Sequence, residues 1–190
     1  MRESNIRAIV NLLLLVLVTV ALPVQSSSEN EGNKVKESDQ AITLFPVIQG
    51  GKCGFIDNAG KMVIEPQFDD TSTFSEGLAR VKVDNKSGYI DKRGKMVIEP
   101  QFDDTIPFSE GLAAVEINNM WGFIDKKGKI VIEPQFDGLW LRFSEGLAAV
   151  KIDNKWGFID KTGNIVIKPQ FDAYFGTRFS EGLAAVMINN

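Results

Sequence analysis

Met120-Trp121-Gly122-Phe123-Ile124-Asp125-Lys126-Lys127-Gly128-Lys129-Ile130-Val131-Ile132-Glu133-Pro134-Gln135-Phe136-Asp137 is the stretch on which the reading of this chain turns. Its first part, Gly122-Phe123-Ile124, carries an aromatic and a β-branched residue, and Lys129-Ile130-Val131-Ile132 is β-branched again; both types suit a pleated, half-buried surface. Between them Asp125 and Gly128 stand at the first and fourth positions of a four-residue turn, where Asp bonds the backbone that follows and Gly tolerates positive φ. The two runs therefore read as a hairpin. Pro134 has no N–H for a ladder and keeps the residue before it extended, so it is expected to end the second strand.

The same hairpin occurs four times. Gly54-Phe55-Ile56-Asp57, Gly88-Tyr89-Ile90-Asp91 and Gly157-Phe158-Ile159-Asp160 repeat its opening, and the copies occupy residues 52–85, 86–119, 120–154 and 155–190, a period of about 34. Each proline is followed by Gln-Phe-Asp, a variable connector and a Phe-Ser-Glu-Gly-Leu-Ala segment that begins at Phe74, Phe108, Phe143 or Phe179. Behind that glycine Ala113, Val115 and Ile117 alternate with Leu112, Ala114 and Glu116, the period of a half-buried strand whose far face meets solvent. Asp84-Asn85 and Asn118-Asn119 tolerate the left-handed conformation of tight hairpins, so this third strand should lead into the next copy as an antiparallel meander. Leu44–Gly51 aligns without a gap to Leu147–Asn154, which places a degenerate third strand ahead of the first full copy. The expected fold is all-β, a tandem repeat of short antiparallel three-stranded units over residues 41–190, as an open solenoid-like or a closed propeller-like array. A period of about 34 is short beside the roughly 40–45 of a propeller blade, which favours three strands per unit.

Lys155-Trp156-Gly157-Phe158-Ile159-Asp160-Lys161-Thr162-Gly163, with Pro169-Gln170-Phe171-Asp172 and Phe179-Ser180-Glu181-Gly182-Leu183-Ala184, resembles the WG, or KWG, repeat family over residues 52–190. Cys53 and Ser87 depart from it, standing where Trp121 and Trp156 stand in the later copies. The resemblance implies a β-repeat array and brings no chemistry with it.

The N-terminus reads differently. Arg2 and Arg7 precede an apolar run from Ala8 to Leu22, broken by Asn11 and followed by small and polar residues, the pattern of a secretory signal peptide. The run is shorter than the roughly 20 residues of a membrane span. Residues 1–26 are therefore expected to be an export signal, 27–40 a polar linker, and the location secreted, periplasmic or in the cell envelope; membrane contact follows only if the apolar segment is retained.

Composition narrows the chemistry. A net charge of −4 offers no basic footprint for nucleic acid. With no histidine and a single cysteine, Cys53, the chain lacks the usual base near neutral pH and most soft metal ligands. The aspartates at 57, 91, 125 and 160 fit turn positions better than calcium loops, and those at 69, 103, 137 and 172 are not clustered as calcium ligands must be. Glu76, Glu110, Glu145 and Glu181 occupy equivalent surroundings, whereas acid and base roles need environments that separate pKa values. The chain is expected to be non-enzymatic, with no catalytic residue, cofactor or metal.

The candidate site is the connector. It lengthens from four residues in the first two copies to five in the third and six in the fourth, and there gains Leu139, Trp140, Leu141, Tyr174 and Phe175. Insertions in repeat proteins map to one face, often the binding face, and Trp and Tyr anchor interfaces. Trp140, Leu141, Tyr174 and Phe175 are therefore the candidate interaction surface for a protein partner. The alternatives are a glycan or cell-wall binder that stacks sugars on exposed aromatics, among them Trp121 and Trp156, and, more remotely, a hydrolase.

Overall fold

The computed structural model describes residues 43–174 and 181–187, all within one compact unit, Asp39–Asn190. The expected export signal, the expected linker and Phe175 lie outside the described residues. Among the described residues every regular element is a strand. The first sheet holds β1 (Phe45–Gln49), β2 (Lys52–Ile56) and β3 (Met62–Phe68). The second holds β4 (Asp70–Thr71), β5 (Ala79–Val83), β6 (Lys86–Ile90) and β7 (Met96–Phe102). The third holds β8 (Asp104–Thr105), β9 (Leu112–Ile117), β10 (Met120–Asp125) and β11 (Ile130–Phe136). The fourth holds β12 (Gly138–Ser144), β13 (Leu147–Ile152), β14 (Lys155–Asp160) and β15 (Ile165–Phe171), and β16 (Ala173–Tyr174) pairs with β17 (Val186–Met187) in a fifth.

All pairings are antiparallel and sequential, as the turn signals require. Asp57, Asp91, Asp125 and Asp160 each take two turn N–H groups on one carboxylate oxygen, Ala59 and Lys61 at 2.9 Å in the first copy. The degenerate strand is real: Val47 faces Gly54 across β1 and β2 just as Val81, Val115 and Val150 face Gly88, Gly122 and Gly157. A sheet is not a copy of the repeat, however. Each four-stranded sheet joins the connector and third strand of one copy to the hairpin of the next, and the meander gains a fourth strand because the connector itself pairs, Asp70 with Lys82 and Thr71 with Val81.

Two local expectations fail for physical reasons. The third strand has no solvent face between Leu112 and Val115: Ala113 and Val115 pack with Tyr89, Ile98 and Phe108, while Leu112 and Ala114 pack with Phe123, Ile132 and Phe143. Successive sheets lie face to face, so the interior ones are buried on both sides, and alanines in these strands keep the layers close. Nor does the proline end its strand. β11 runs through Pro134 to Phe136, which pairs with Trp121, while Ile132 pairs with Phe123. Gly122 alone thus opposes Glu133-Pro134-Gln135, a bulge in which a residue without an N–H leaves no donor unpaired. Gln135 Nε2 donates to the Glu133 carbonyl at 3.3 Å and closes the bulge.

Candidate interaction face and the joints that carry it

Each connector starts at an aspartate where the chain leaves one sheet for the next. Asp69 Oδ1 accepts from Lys52 Nζ at 2.5 Å in the sheet behind, and its Oδ2 accepts from the Asp84 N–H at 3.0 Å, in the hairpin turn ahead. Asp103 repeats both contacts with Lys86 (2.6 Å) and Asn118 (2.8 Å), and Asp137, facing Met120 rather than a lysine, keeps the turn contact to Asp153 at 2.9 Å. Lys155 pairs with Asp172. The second series of aspartates is thus used as sheet-to-sheet joints, and among the described residues no group of three or more His, Cys, Asp or Glu is gathered to hold a metal.

The serine and glutamate of the repeat form a second set of joints, which the sequence reading did not identify. Ser75 and Leu78 exchange backbone hydrogen bonds across a two-residue turn in which Glu76 and Gly77 both have positive φ, 52° and 89°. The Glu76 carboxylate accepts from Gly111 N–H of the next turn at 3.1 Å, Glu110 does the same to Gly146 at 3.0 Å, and Glu145 to Gly182 at 2.9 Å. Ser75 and Ser109 donate to the carbonyls of Phe108 (2.7 Å) and Phe143 (2.9 Å).

Asp69, Asp103, Glu110 and Asp160 are held in their charged form. The Lys52 ammonium, and after it the Asp84 N–H, keep Asp69 below the ordinary carboxylate range; Lys86 and Asn118 do so for Asp103. For Glu110 partial burial pushes upward, but Lys161 and the Gly146 N–H outweigh it. Asp160, bonded first by the Thr162 hydroxyl and then by the Asn164 and Thr162 N–H groups, sits at about 2. A carboxylate depressed on folding contributes stability that is complete above its unfolded value, near ~4, and lost as pH falls through its folded value. The thermal midpoint should therefore hold steady down to about pH 4 and fall from there toward about 2, the Asp160 value. Scanning calorimetry across that range checks this, and a level midpoint would contradict it.

On this frame the candidate residues separate. β12 carries Trp140 opposite Ala149, and Leu141 falls in the irregular stretch between Trp140 and Ser144. Leu139, opposite Val150, is half-buried against the cluster of Phe123, Phe143 and Ile159, so it belongs to the core and not to a contact patch. Tyr174 pairs with Val186, which is the slot held by Leu139 opposite Val150 and by Thr105 opposite Val115. Of the described side chains in that slot, Thr105 is buried and Leu139 half-buried. Trp140 holds the position one residue further out, and by count its mate in the fourth copy is Phe175. Trp121 and Trp156 are half-buried and pack against core clusters.

Sheets built from shared copies and joined at identical turns define a tandem β-repeat protein. A model of the WG containing repeat matches residues 54–86, 88–121, 121–156 and 156–190, and the chain belongs to that family. No curated protein and no solved structure matches it.

Proposed function

We propose that this chain is an exported, non-enzymatic scaffold that binds a protein partner along the connectors of its third and fourth copies, with Trp140, Leu141 and Phe175 as the contact residues. One observation carries the reading. The connector strand is two residues long in β4 and β8 but seven in β12, and the added length holds the aromatic and aliphatic residues. A rigid stack of sheets that presents one altered strand is the arrangement from which binding loops work. The half-buried packing of Trp121 and Trp156 favours this over a row of sugar-stacking rings.

Crosslinking of the exported chain in its native envelope, followed by mass spectrometry, should recover a protein crosslinked near residues 138–142. Trp140→Ser should abolish that crosslink and leave the thermal midpoint unchanged. Tyr174→Ser, at the register shared with Thr105 and Leu139, should lower the midpoint instead. A signal on a glycan array that Trp140→Ser removes would replace the protein-partner reading with the carbohydrate one.

A further inference from the structure

The third copy breaks one joint of the array, and it is the joint from which the altered connector starts. At the first joint an ammonium serves two carboxylates: Lys52 Nζ donates to Asp69 at 2.5 Å, and Asp84 in the turn ahead also favours its charge. Lys86 bonds Asp103 at 2.6 Å, and Lys155 pairs with Asp172. The third joint keeps both carboxylates of the first, as Asp137 and Asp153, and Asp137 Oδ2 accepts from the Asp153 N–H at 2.9 Å. The lysine is missing. Met120 stands in its place, one residue before Trp121, which pairs with Phe136. Among the described residues no lysine or arginine pairs with Asp137. Lys151, the counterpart of Lys82, meets it through the backbone, its carbonyl accepting from the Asp137 N–H at 3.0 Å. Asp137 is exposed and Met120 half-buried, so an acidic oxygen and an apolar side chain occupy opposed positions at the root of β12.

We propose that Asp137 and Met120 form the docking point for a cationic side chain, a lysine or arginine, of the protein partner. This rests on the connector reading above and gives that partner its chemistry: a basic residue beside apolar ones. The contact is one the chain already makes within itself. An incoming cation takes on Asp137 the oxygen that Lys52 and Lys86 take on Asp69 and Asp103, Oδ1 in both. Its aliphatic stem lies along Met120, where the chain's own lysine runs in the other copies. Asp153 adds a second negative charge at the same joint, and the net charge of −4 steers a basic partner toward the chain. Because the joint adjoins residues 138–142, one partner segment can engage the cation site and the contact strand together.

The test is a titration of the isotope-labelled full chain with acetyl-Leu-Lys-amide and with its norleucine analogue, which lacks the ammonium. The Asp153 amide, bonded to the Asp137 carboxylate, is the reporter. It should shift saturably with the lysine peptide, and the norleucine peptide should bind about three- to fivefold more weakly, the range of an exposed ion pair. Asp137→Asn and Met120→Lys should each bring the two peptides to equal, weak binding. Ala59→Lys makes the same charge change as Met120→Lys at an exposed turn position where the third copy has Lys127, and it should leave the preference intact. In the crosslinking experiment Asp137→Asn and Met120→Lys should both lose the partner that Ala59→Lys retains. Equal binding of the two peptides to the unaltered chain, or a preference that Met120→Lys leaves unchanged, would overturn the docking point whatever becomes of the connector reading. A crosslink that Trp140→Ser abolishes and Asp137→Asn leaves intact would overturn it while keeping the protein partner. Absence of any crosslink sinks the connector reading, and the docking point with it as a partner site, even where the lysine preference is seen.

Discussion

Gly122→Ala should cost about 3 kcal/mol of folding stability, the upper end of what overpacking a filled interior costs, and lower the thermal midpoint by about 10 °C. A methyl group there would lie 2.6 Å from the Ile132 carbonyl oxygen, 2.7 Å from the Pro134 nitrogen and 2.9 Å from the Glu133 carbonyl carbon. All three are backbone atoms of the bulge in β11, and the bulge cannot retreat, because Ile132 and Phe136 on either side of it are core residues paired with Phe123 and Trp121. Gly122 does not have positive φ, so the cost is steric and not conformational. That separates it from Gly77, where φ is 89° but nothing lies within 4 Å of an added methyl; Gly77→Ala should cost only about 1 kcal/mol of backbone strain. Urea unfolding of both variants checks the ordering. A loss below about 1 kcal/mol at Gly122 would mean that the bulge shifts freely.

That glycine also marks the limit of what the sequence tells a reader. Turn residues act on their own neighbours, so Asp125 and Gly128 announced their hairpin, and the eight-residue match of Leu44–Gly51 to Leu147–Asn154 announced β1. Pro134 was misread because its meaning depends on a residue twelve positions earlier: it passes through the strand only where the partner strand offers a residue without a Cβ. The two buried faces of Leu112–Val115 were hidden because the period-two pattern identifies the strand but not the number of layers on it. Glu76 carried an unread signal. A left-handed position (φ 52°) favours Gly or Asn, so glutamate recurring there in all four copies points to work for its carboxylate. The connectors stood out by their variation, but the register that sets Trp140 against Ala149 and Tyr174 against Val186 is contained in no local pattern.

Phe123→Ala should be the most damaging single truncation in the array, at about 4 kcal/mol. The ring is 1% exposed, lies 4.8 Å from the Phe143 ring at 57°, and shares its cluster with Ile132, Phe136, Ala148, Val150 and Ile159. These residues come from both the third and the fourth sheets, so the truncation opens a cavity in the layer that joins them and also removes a tilted ring pair worth about 1 kcal/mol. In a repeat array stability is the sum of what each unit contributes and what each interface contributes, and an interface term lost at the third layer cannot be recovered by neighbours that do not touch it. Val131→Ala, on the exposed side of β11, supplies the contrast: Val131 is 42% exposed, and the truncation should cost no more than about 0.5 kcal/mol. Hydrogen exchange should report the same asymmetry, with Phe123→Ala lowering protection in β10, β13 and β14 together while β2 and β6 keep theirs. Equal losses for the two variants, or protection falling uniformly along the chain, would show that the array unfolds as one block and that no single layer carries its own share.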